Sequence, residues 1–379
     1  MNSVSLYIHI PFCASKCRYC AFNSYAGLDH LHEKYTEALQ REVALSAQTL
    51  GRQEVTTVYL GGGTPTVVDV ELLARLLESC QEQFDVDDDA EISVEANPGT
   101  VDAAYLAALR ALGVNRLSLG AQSFADQKLA LLGRLHTAAE TEETYYLARK
   151  AGFRNINLDL IYSLPTQTLS QWKADISAAM ALDPEHLSLY SLSIEEGTPL
   201  ARMISSGELA RPDPDLAAEM YTWAEGTLAD VGYDHYELSN WAKSGRECQH
   251  NLSYWLNAPY LGFGAGAHSH FALSRYHNVT LPEEYVALIE RGESCVAGSE
   301  EIDAETGMSE TMIMGLRLLK GISRNEFEER FHRPLVDVYG EQLGELVDLG
   351  LLDVNAKSVR LTPRGRLLGN EVFERFLPG

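Results

Sequence analysis

The stretch SLYIHIPFCASKCRYCAF, residues 5–22, joins a short β-rich run to three closely spaced cysteines. Cys13, Cys17 and Cys20 have the spacing C-x3-C-x2-C. One loop can therefore supply three thiolates to an iron–sulfur cubane and leave one iron with an open coordination position. Structural zinc is the alternative, but zinc normally takes four protein ligands, and a nearby histidine would have to complete the set. We therefore expect a [4Fe–4S] cluster at this loop.

From this first run to about residue 200, β-rich runs alternate with amphipathic helical stretches. The β-rich runs are SLYIHI, TTVYLG, EISVEA, RLSLGAQ, NINLDLIY and HLSLYSLSI. Alternation of this kind implies parallel strands joined by right-handed crossovers. Six β-α units fit an open barrel better than a closed one of eight. The predicted fold class is α/β, a partial (β/α)6 barrel with a lateral opening.

The most distinctive motifs each come at the end of a predicted strand, where the loops of a parallel barrel converge. After the cysteine loop these motifs are GGGTP at 61–65, EANPGT at 95–100, GAQSF at 120–124 and LDLIYSLP at 158–165. Glycines let the backbone approach a ligand closely because they have no Cβ. Glu95 and Asp159 lie at strand ends, with Gln122 and Arg134 nearby, and their polar side chains can hydrogen-bond a ligand. Together the motifs predict the rim of an active site.

The regular alternation stops at about residue 200, and we predict three regions. Residues 1–200 form the barrel, residues 201–300 extend it, and residues 301–379 form a mainly helical, winged-helix-like domain with a final β-ribbon. A winged helix normally reads DNA, but glutamates interrupt any basic stripe along these helices. We interpret it as a structural or partner-binding lid.

Composition narrows the class of partner. The formal net charge of −24 repels nucleic acid and anionic lipid. The N-terminus lacks the pattern of a signal peptide and no apolar run is long enough to span a membrane, so we expect a cytoplasmic protein without a transmembrane segment. Asp85 to Asp89 are expected to form a solvated loop. Cys80 and Cys295 do not lie at a spacing from another cysteine that would indicate a metal site or a disulfide.

The motifs quoted above resemble those of the radical S-adenosylmethionine (SAM) superfamily, and across nearly the whole chain they resemble its HemN/HemW group. The resemblance implies that the three cysteines are cluster ligands, not nucleophiles, and that the fourth iron binds SAM; no catalytic residue is assigned. It also implies that Tyr19 lies near the adenine of SAM. The residues that the resemblance places in contact with SAM are Tyr7, Tyr19, Gly62, Gly63, Thr64, Glu95, Gln122, Arg134, Asp159 and Ile161.

Two features separate the chain from the coproporphyrinogen III dehydrogenases of this group. Those enzymes carry another cysteine two residues after the third, where this chain has Phe22. They also have a longer N-terminal arm, whereas here the first cysteine is residue 13. Both features match the HemW branch, which the resemblance associates with heme-binding chaperones.

The HemW branch also has a His-Asn-x-x-Tyr-Trp motif, matched here by HNLSYW at 250–255 after Cys248. Imidazole is a common axial ligand of heme iron, so His250 is the predicted heme ligand. The alternative is a histidine satisfied by hydrogen bonds beside core aromatics. Downstream, YLGFGAGAHSHF at 260–271 contains His268 and His270, which are further candidates to line the cavity of a flat ligand. The glycines of this segment do not lie between a strand and a helix, as the glycines of a dinucleotide-binding loop do.

Three hypotheses follow from the sequence. The first is a heme chaperone with a cluster and SAM, which passes heme or a related porphyrin to acceptor proteins, including respiratory ones, and uses an electron donor for its cluster. The second is an oxygen-independent coproporphyrinogen III oxidase that decarboxylates porphyrinogen propionates. The third is a zinc-stabilised regulator that binds DNA through the winged helix.

Overall fold

The computed structural model describes residues 3–378, and its N-terminal half is an open β/α barrel. Its strands and helices, in chain order, are β1 Val4–Ile10, β2 Phe12–Cys13, β3 Tyr25–Ala26, α1 His32–Leu50, β4 Glu54–Gly62, α2 Val70–Gln83, β5 Asp85–Ala96, α3 Ala103–Ala111, β6 Arg116–Gln122, α4 Asp126–Leu132, α5 Ala138–Lys150, β7 Ile156–Tyr162, α6 Leu169–Ala181 and β8 His186–Ser191. Strands β1, β4, β5, β6, β7 and β8 pair in parallel in that order. The predicted (β/α)6 barrel is confirmed.

Local sequence explains much of this part. In β1, Val4, Leu6 and Ile8 are buried against the helices, as expected of a parallel strand covered on its outer face. Helices α5 and α6 each begin with a capping box, in which a threonine side chain and a Glu or Gln three residues later satisfy free backbone N–H groups. These signals fix where each helix starts.

The chain beyond the barrel extends the same sheet on both sides. It contains α7 Pro199–Ser205, α8 Pro214–Asp230, β9 Asp234–Glu237, β10 Asn240–Ala242, α9 Gln249–Trp255, β11 Tyr260–Phe263, β12 His268–Phe271, β13 Ser274–Asn278, α10 Pro282–Glu290 and β14 Val296–Glu301. Strand β11 pairs in parallel with β1, and β12, β13 and β14 follow it in antiparallel order. Strand β10 pairs antiparallel with β8. The sheet therefore has twelve strands.

The C-terminal region has a separate apolar core. Its elements are α11 Ala304–Gly315, β15 Ile322–Ser323, α12 Arg324–Phe331, α13 Leu335–Asp348, β16 Leu352–Val354, β17 Ser358–Leu361, α14 Pro363–Leu367 and α15 Gly369–Phe373. Helices α11, α12 and α13 with a three-stranded sheet in the order β15-β17-β16 agree with the predicted winged-helix pattern, and the short helices α14 and α15 follow them. The division of the chain at residues 200 and 300 stays a prediction.

The expectation of a solvated loop at Asp85 to Asp89 is wrong. These residues form the first part of β5, where Asp85 lies opposite Glu54 and Val86 opposite Val55. The Arg52 guanidinium forms an ion pair with the Asp85 carboxylate. Backbone pairing and this cation offset the low strand propensity of aspartate.

Within residues 3–378, no helix is both long and apolar enough to cross a membrane.

Candidate functional site

The three cysteines follow β1 and lie at the carboxyl end of the barrel strands. Each thiol is partly exposed and has a polar neighbour. The Thr64 hydroxyl donates to Cys13 Sγ over 3.7 Å, and Arg134 Nη1 donates to Cys17 Sγ over 3.5 Å. Cys20 Sγ lies 3.8 Å from the Ser24 hydroxyl oxygen. Donors beside sulfur stabilise thiolates, which are the form that binds metal. The loop therefore fits an iron–sulfur cluster.

The chemistry of the donor set separates a cluster from a single zinc ion. Structural zinc takes four ligands that converge on one point. The cysteine loop supplies three thiolates, and no fourth cysteine follows at short spacing. Three thiolates are enough for a cubane whose fourth iron keeps an open coordination position.

The glycine loop packs directly on the cysteine loop. A Cβ built on Gly63 lies 2.5 Å from the Phe12 carbonyl oxygen and 3.0 Å from Cys13 Sγ, which leaves no space for a side chain. Gly62 has φ of +118°, and a Cβ there meets the His9 ring at 2.6 Å. Only glycine allows this approach. The backbone amides of this loop are thus held beside the cluster ligands.

Asn97 links the glycine loop to Arg134, and sequence reasoning missed it. Its Nδ2 donates to Thr64 Oγ1 over 2.7 Å, and its Oδ1 accepts a hydrogen bond from Arg134 Nη2. Arg134 also donates to the Gly120 carbonyl over 2.8 Å. The only sequence signal was its place in the EANPGT motif. This network fixes the Arg134 guanidinium against Cys17.

Two predicted SAM contacts are half-buried carboxyl groups. Glu95 accepts hydrogen bonds from the Tyr59 hydroxyl at 2.8 Å and from the Gly62 amide at 3.1 Å. Burial raises the pKa of Glu95 to about 7. Asp159 accepts from Asn157 Nδ2 at 2.8 Å, and burial raises its pKa as well. Both groups therefore have fixed orientations in the barrel.

Because the pKa of Glu95 is raised in the folded state, its protonation makes folding depend on pH. The stabilisation is fully present below the unfolded pKa near 4.3 and is lost as pH rises through about 7. Between pH 5 and pH 9, we expect the free energy of unfolding of the ligand-free protein to fall by about 1–3 kcal/mol relative to that of Glu95→Gln. Urea unfolding of both proteins at each pH measures this. If the free energies of unfolding of the two proteins change equally with pH, this prediction is contradicted.

The remaining predicted SAM contacts lie around the same end of the strands. Tyr7 is half-buried, and its hydroxyl lies 3.0 Å from His9 Nδ1. Tyr19 packs on a small apolar cluster that includes Ile161. Gln122 ends β6 with φ of +65°, an uncommon conformation for a residue other than glycine. The structure thus brings the residues of five strand ends to one rim.

The HNLSYW motif forms helix α9, which lies against the barrel strands. His250 is 1% exposed, and Thr57 Oγ1 is 2.8 Å from its Nδ1 while the Tyr254 hydroxyl is 2.9 Å from its Nε2. Burial lowers its pKa to about 3. Both ring nitrogens are therefore engaged, and heme ligation by His250 would break one of these bonds. This ligand assignment stays a prediction.

Glu91 holds the start of α9 and was also missed from the sequence. Its carboxylate accepts the backbone N–H groups of Gln249 at 3.1 Å and His250 at 3.2 Å. The Cys248 thiol donates to the same carboxylate over 3.5 Å. The buried Arg116 guanidinium interacts with Glu91 electrostatically. Glu91 thus connects the motif to the barrel interior.

Aromatic rings join α9 to the cofactor end of the barrel. His250 stacks on Tyr59 with ring centroids 5.0 Å apart, and Tyr59 stacks on Tyr7 at 6.2 Å. Tyr7 is one of the predicted SAM contacts. The spacing of the strand residues alone could not reveal this contact, because the contact depends on where α9 docks.

Comparison with known proteins identifies the family. The sequence matches the Radical SAM superfamily over residues 7–179 and the HemN C-terminal domain over residues 302–368. It is 39% identical to the heme chaperone HemW of Bacillus subtilis, covering 98% of this chain and 99% of that protein. It is 35% identical to HemW of Escherichia coli, covering 99% and 98%.

The fold is also similar to a solved structure. Coproporphyrinogen III oxidase (HemN) from Escherichia coli, a radical SAM enzyme, superposes with a TM-score of 0.88 at 26% identity, covering 99% of this chain and 90% of that one. The chain therefore belongs to the HemW family of the radical SAM superfamily, whose cofactors are a [4Fe–4S] cluster and SAM.

Proposed function

We propose that this protein is a heme chaperone that carries a [4Fe–4S] cluster and SAM and transfers heme to acceptor proteins. The observation that carries the proposal is the similarity to proteins named heme chaperone HemW, at 39% identity in one case, over nearly their whole length. Similarity of that extent includes the barrel, α9 and the C-terminal region alike.

The cluster and SAM would be held at the rim of the barrel. Cys13, Cys17 and Cys20 are the proposed ligands, and Arg134 and Thr64 stabilise their thiolates. The other proposed SAM contacts are Tyr7, Tyr19, Gly62, Gly63, Glu95, Gln122, Asp159 and Ile161. SAM bound to a reduced cluster supplies a 5′-deoxyadenosyl radical, and the protein supplies orientation and charge.

Heme acceptors, including respiratory proteins, and an electron donor for the cluster belong to the same proposal. Heme is the cargo in this scheme and not a resident cofactor. A chaperone needs to bind heme and then release it, so its heme site has to be reachable from the surface. This requirement bears on the choice between His250 and other imidazoles.

The second candidate function is that of a coproporphyrinogen III oxidase, which the TM-score of 0.88 to HemN favours. Against it stands Phe22, which occupies the position of the additional cysteine in those enzymes. Its side chain is 71% exposed at the edge of the cysteine loop and offers no metal ligand. The two functions therefore predict different results in one experiment.

The experiment uses cluster-loaded protein prepared without oxygen. One portion is titrated with hemin, and another is incubated with coproporphyrinogen III, SAM and a strong reductant. We expect one hemin bound per chain and no protoporphyrinogen IX. If protoporphyrinogen IX accumulates and no hemin binds, the chaperone function is wrong and the oxidase function takes its place.

A further inference from the structure

A cavity of about 600 Å³ lies at the end of β1 opposite to the cysteine loop. It is lined by Ser3, the segment 256–259, His270, Ala272 and Arg330. Helix α9 ends at Trp255, so the cavity begins where the HNLSYW motif stops. Its size is typical of sites for small molecules and cofactors. Neither the predicted SAM contacts nor His250 belongs to it.

His270 is the one imidazole that lines this cavity. Its side chain lies on β12, and the residue is 9% exposed. Within residues 3–378 the His270 ring makes no hydrogen bond, whereas both ring nitrogens of His250 are engaged. The His270 nitrogens are not among the buried polar atoms that lack a partner, so the ring is open to the cavity that it lines. A ligand in the cavity can therefore reach the imidazole.

The protonation state of His270 suits a metal. Burial lowers its pKa, so the ring is neutral at pH 7. Neutral imidazole is the form that binds iron. Arg275 lies opposite His270 on β13 and pairs with Glu310, so the two nearby charges offset one another.

The rest of the cavity combines apolar surface with one cation. Leu256, Ala258, Pro259 and Ala272 supply the apolar part, and Leu256 is 47% exposed at the rim. The Arg330 guanidinium donates to the carbonyls of Leu256 at 3.3 Å and Asn257 at 2.9 Å. A guanidinium has five N–H donors, so Arg330 can also donate to a carboxylate.

We propose that this cavity binds heme, with His270 as the axial ligand of the iron and Arg330 near a propionate. The ligand class is a flat, apolar metalloporphyrin with carboxylate side chains. The inference rests on the proposed heme function and specifies where the cargo sits. It places the heme at the end of the barrel away from the cluster, within reach of acceptor proteins.

A series of ring contacts gives His250 a positioning role in this arrangement. His270 packs on Tyr260 at a centroid distance of 6.2 Å, Tyr260 on Tyr254 at 4.7 Å, and Tyr254 on His250 at 5.0 Å. Loss of the His250 ring frees the Tyr254 hydroxyl and loosens this packing. His250→Ala then weakens hemin binding but leaves the spectrum of the axial ligand unchanged.

The first test compares hemin titrations of the cluster-loaded protein and four variants. His270→Ala removes the proposed ligand, His250→Ala removes the motif histidine, and His268→Ala is the matched control on the same strand. We expect His270→Ala to weaken binding by more than about tenfold and to change the Soret band. Added imidazole restores the original band in His270→Gly. His268→Ala behaves as the parent.

A second test labels the parent protein, so its result does not depend on how well a variant folds. Diethyl pyrocarbonate modifies accessible imidazoles, and mass spectrometry locates the label. Hemin is expected to protect His270 but not His268. Hemin is also expected to bind more tightly than its dimethyl ester, which lacks the carboxylates, and Arg330→Met removes that preference.

The outcomes separate this inference from the proposed function. A parent protein that binds no hemin would overturn both. A parent that binds hemin, with unchanged affinity and spectrum in His270→Ala but loss of the spectrum in His250→Ala, would overturn the cavity assignment and leave the chaperone function standing. Labelling of His270 that hemin does not reduce would also count against the cavity.

Discussion

Replacing Cys17 with alanine is expected to reduce bound iron and acid-labile sulfide from about four each per chain to near zero. The variant should also lose SAM binding, because the iron that binds SAM is absent. Two remaining thiolates cannot hold a cubane from one loop. Arg134, whose Nη1 donates to Cys17 Sγ over 3.5 Å, would face an apolar methyl group instead. Metal analysis and equilibrium dialysis with labelled SAM, after anaerobic reconstitution, measure both effects.

Cys295→Ser is the matched control for this prediction. Cys295 is buried, and its thiol donates to Glu42 Oε1 over 3.4 Å, a bond that a serine hydroxyl can replace. The control should keep its full iron and sulfide content. Tightly bound zinc without sulfide in the parent protein would instead support the zinc-stabilised regulator.

Replacing Glu91 with alanine is expected to destabilise the protein by about 3–5 kcal/mol. Glu91 is 9% exposed and accepts the first two backbone N–H groups of α9. Its loss leaves those donors unsatisfied and removes a carboxylate that interacts with the buried Arg116. Because α9 carries HNLSYW and leads into the cavity of His270, hemin affinity should fall as well. Denaturant unfolding and hemin titration measure the two effects.

Glu91→Gln separates the two causes. Glutamine keeps one acceptor for the amide groups of α9 but carries no charge. We expect it to recover part of the stability and most of the hemin affinity. If both variants lose the same stability and hemin affinity, the charge of Glu91 is the cause, and not its hydrogen bonds to the first N–H groups of α9. No measurable loss in either variant would contradict the interpretation of Glu91.

The barrel could be predicted because its signals are local. Each strand corresponds to a short β-rich run in the sequence, and each helix corresponds to an amphipathic stretch. The capping boxes at Thr137 and Thr168 mark where two of the helices start. The motifs at the strand ends then converge by the geometry of parallel barrels. The cysteine loop, the glycine loop and Glu95 could therefore be assigned to one rim from the sequence alone.

Contacts between distant parts of the chain could not be predicted in this way. Strand β11 has four residues, too few for a clear pattern, and it pairs with β1 across about 250 positions. The docking of α9 depends on contacts such as Ser5 with Ser253, whose hydroxyl oxygens are 2.8 Å apart. The role of Glu91 and the cavity of His270 depend on that docking, so only the structure revealed them.

Transfer of heme to an acceptor distinguishes a chaperone from a protein that merely binds heme. The cluster-loaded protein, carrying one hemin per chain, is mixed with increasing concentrations of a heme-free b-type cytochrome, and the Soret band of the acceptor is followed. For a chaperone, the transfer rate is predicted to rise with acceptor concentration, because heme passes within a complex of the two proteins. A rate that equals spontaneous hemin release and does not change with acceptor concentration would contradict the proposed function.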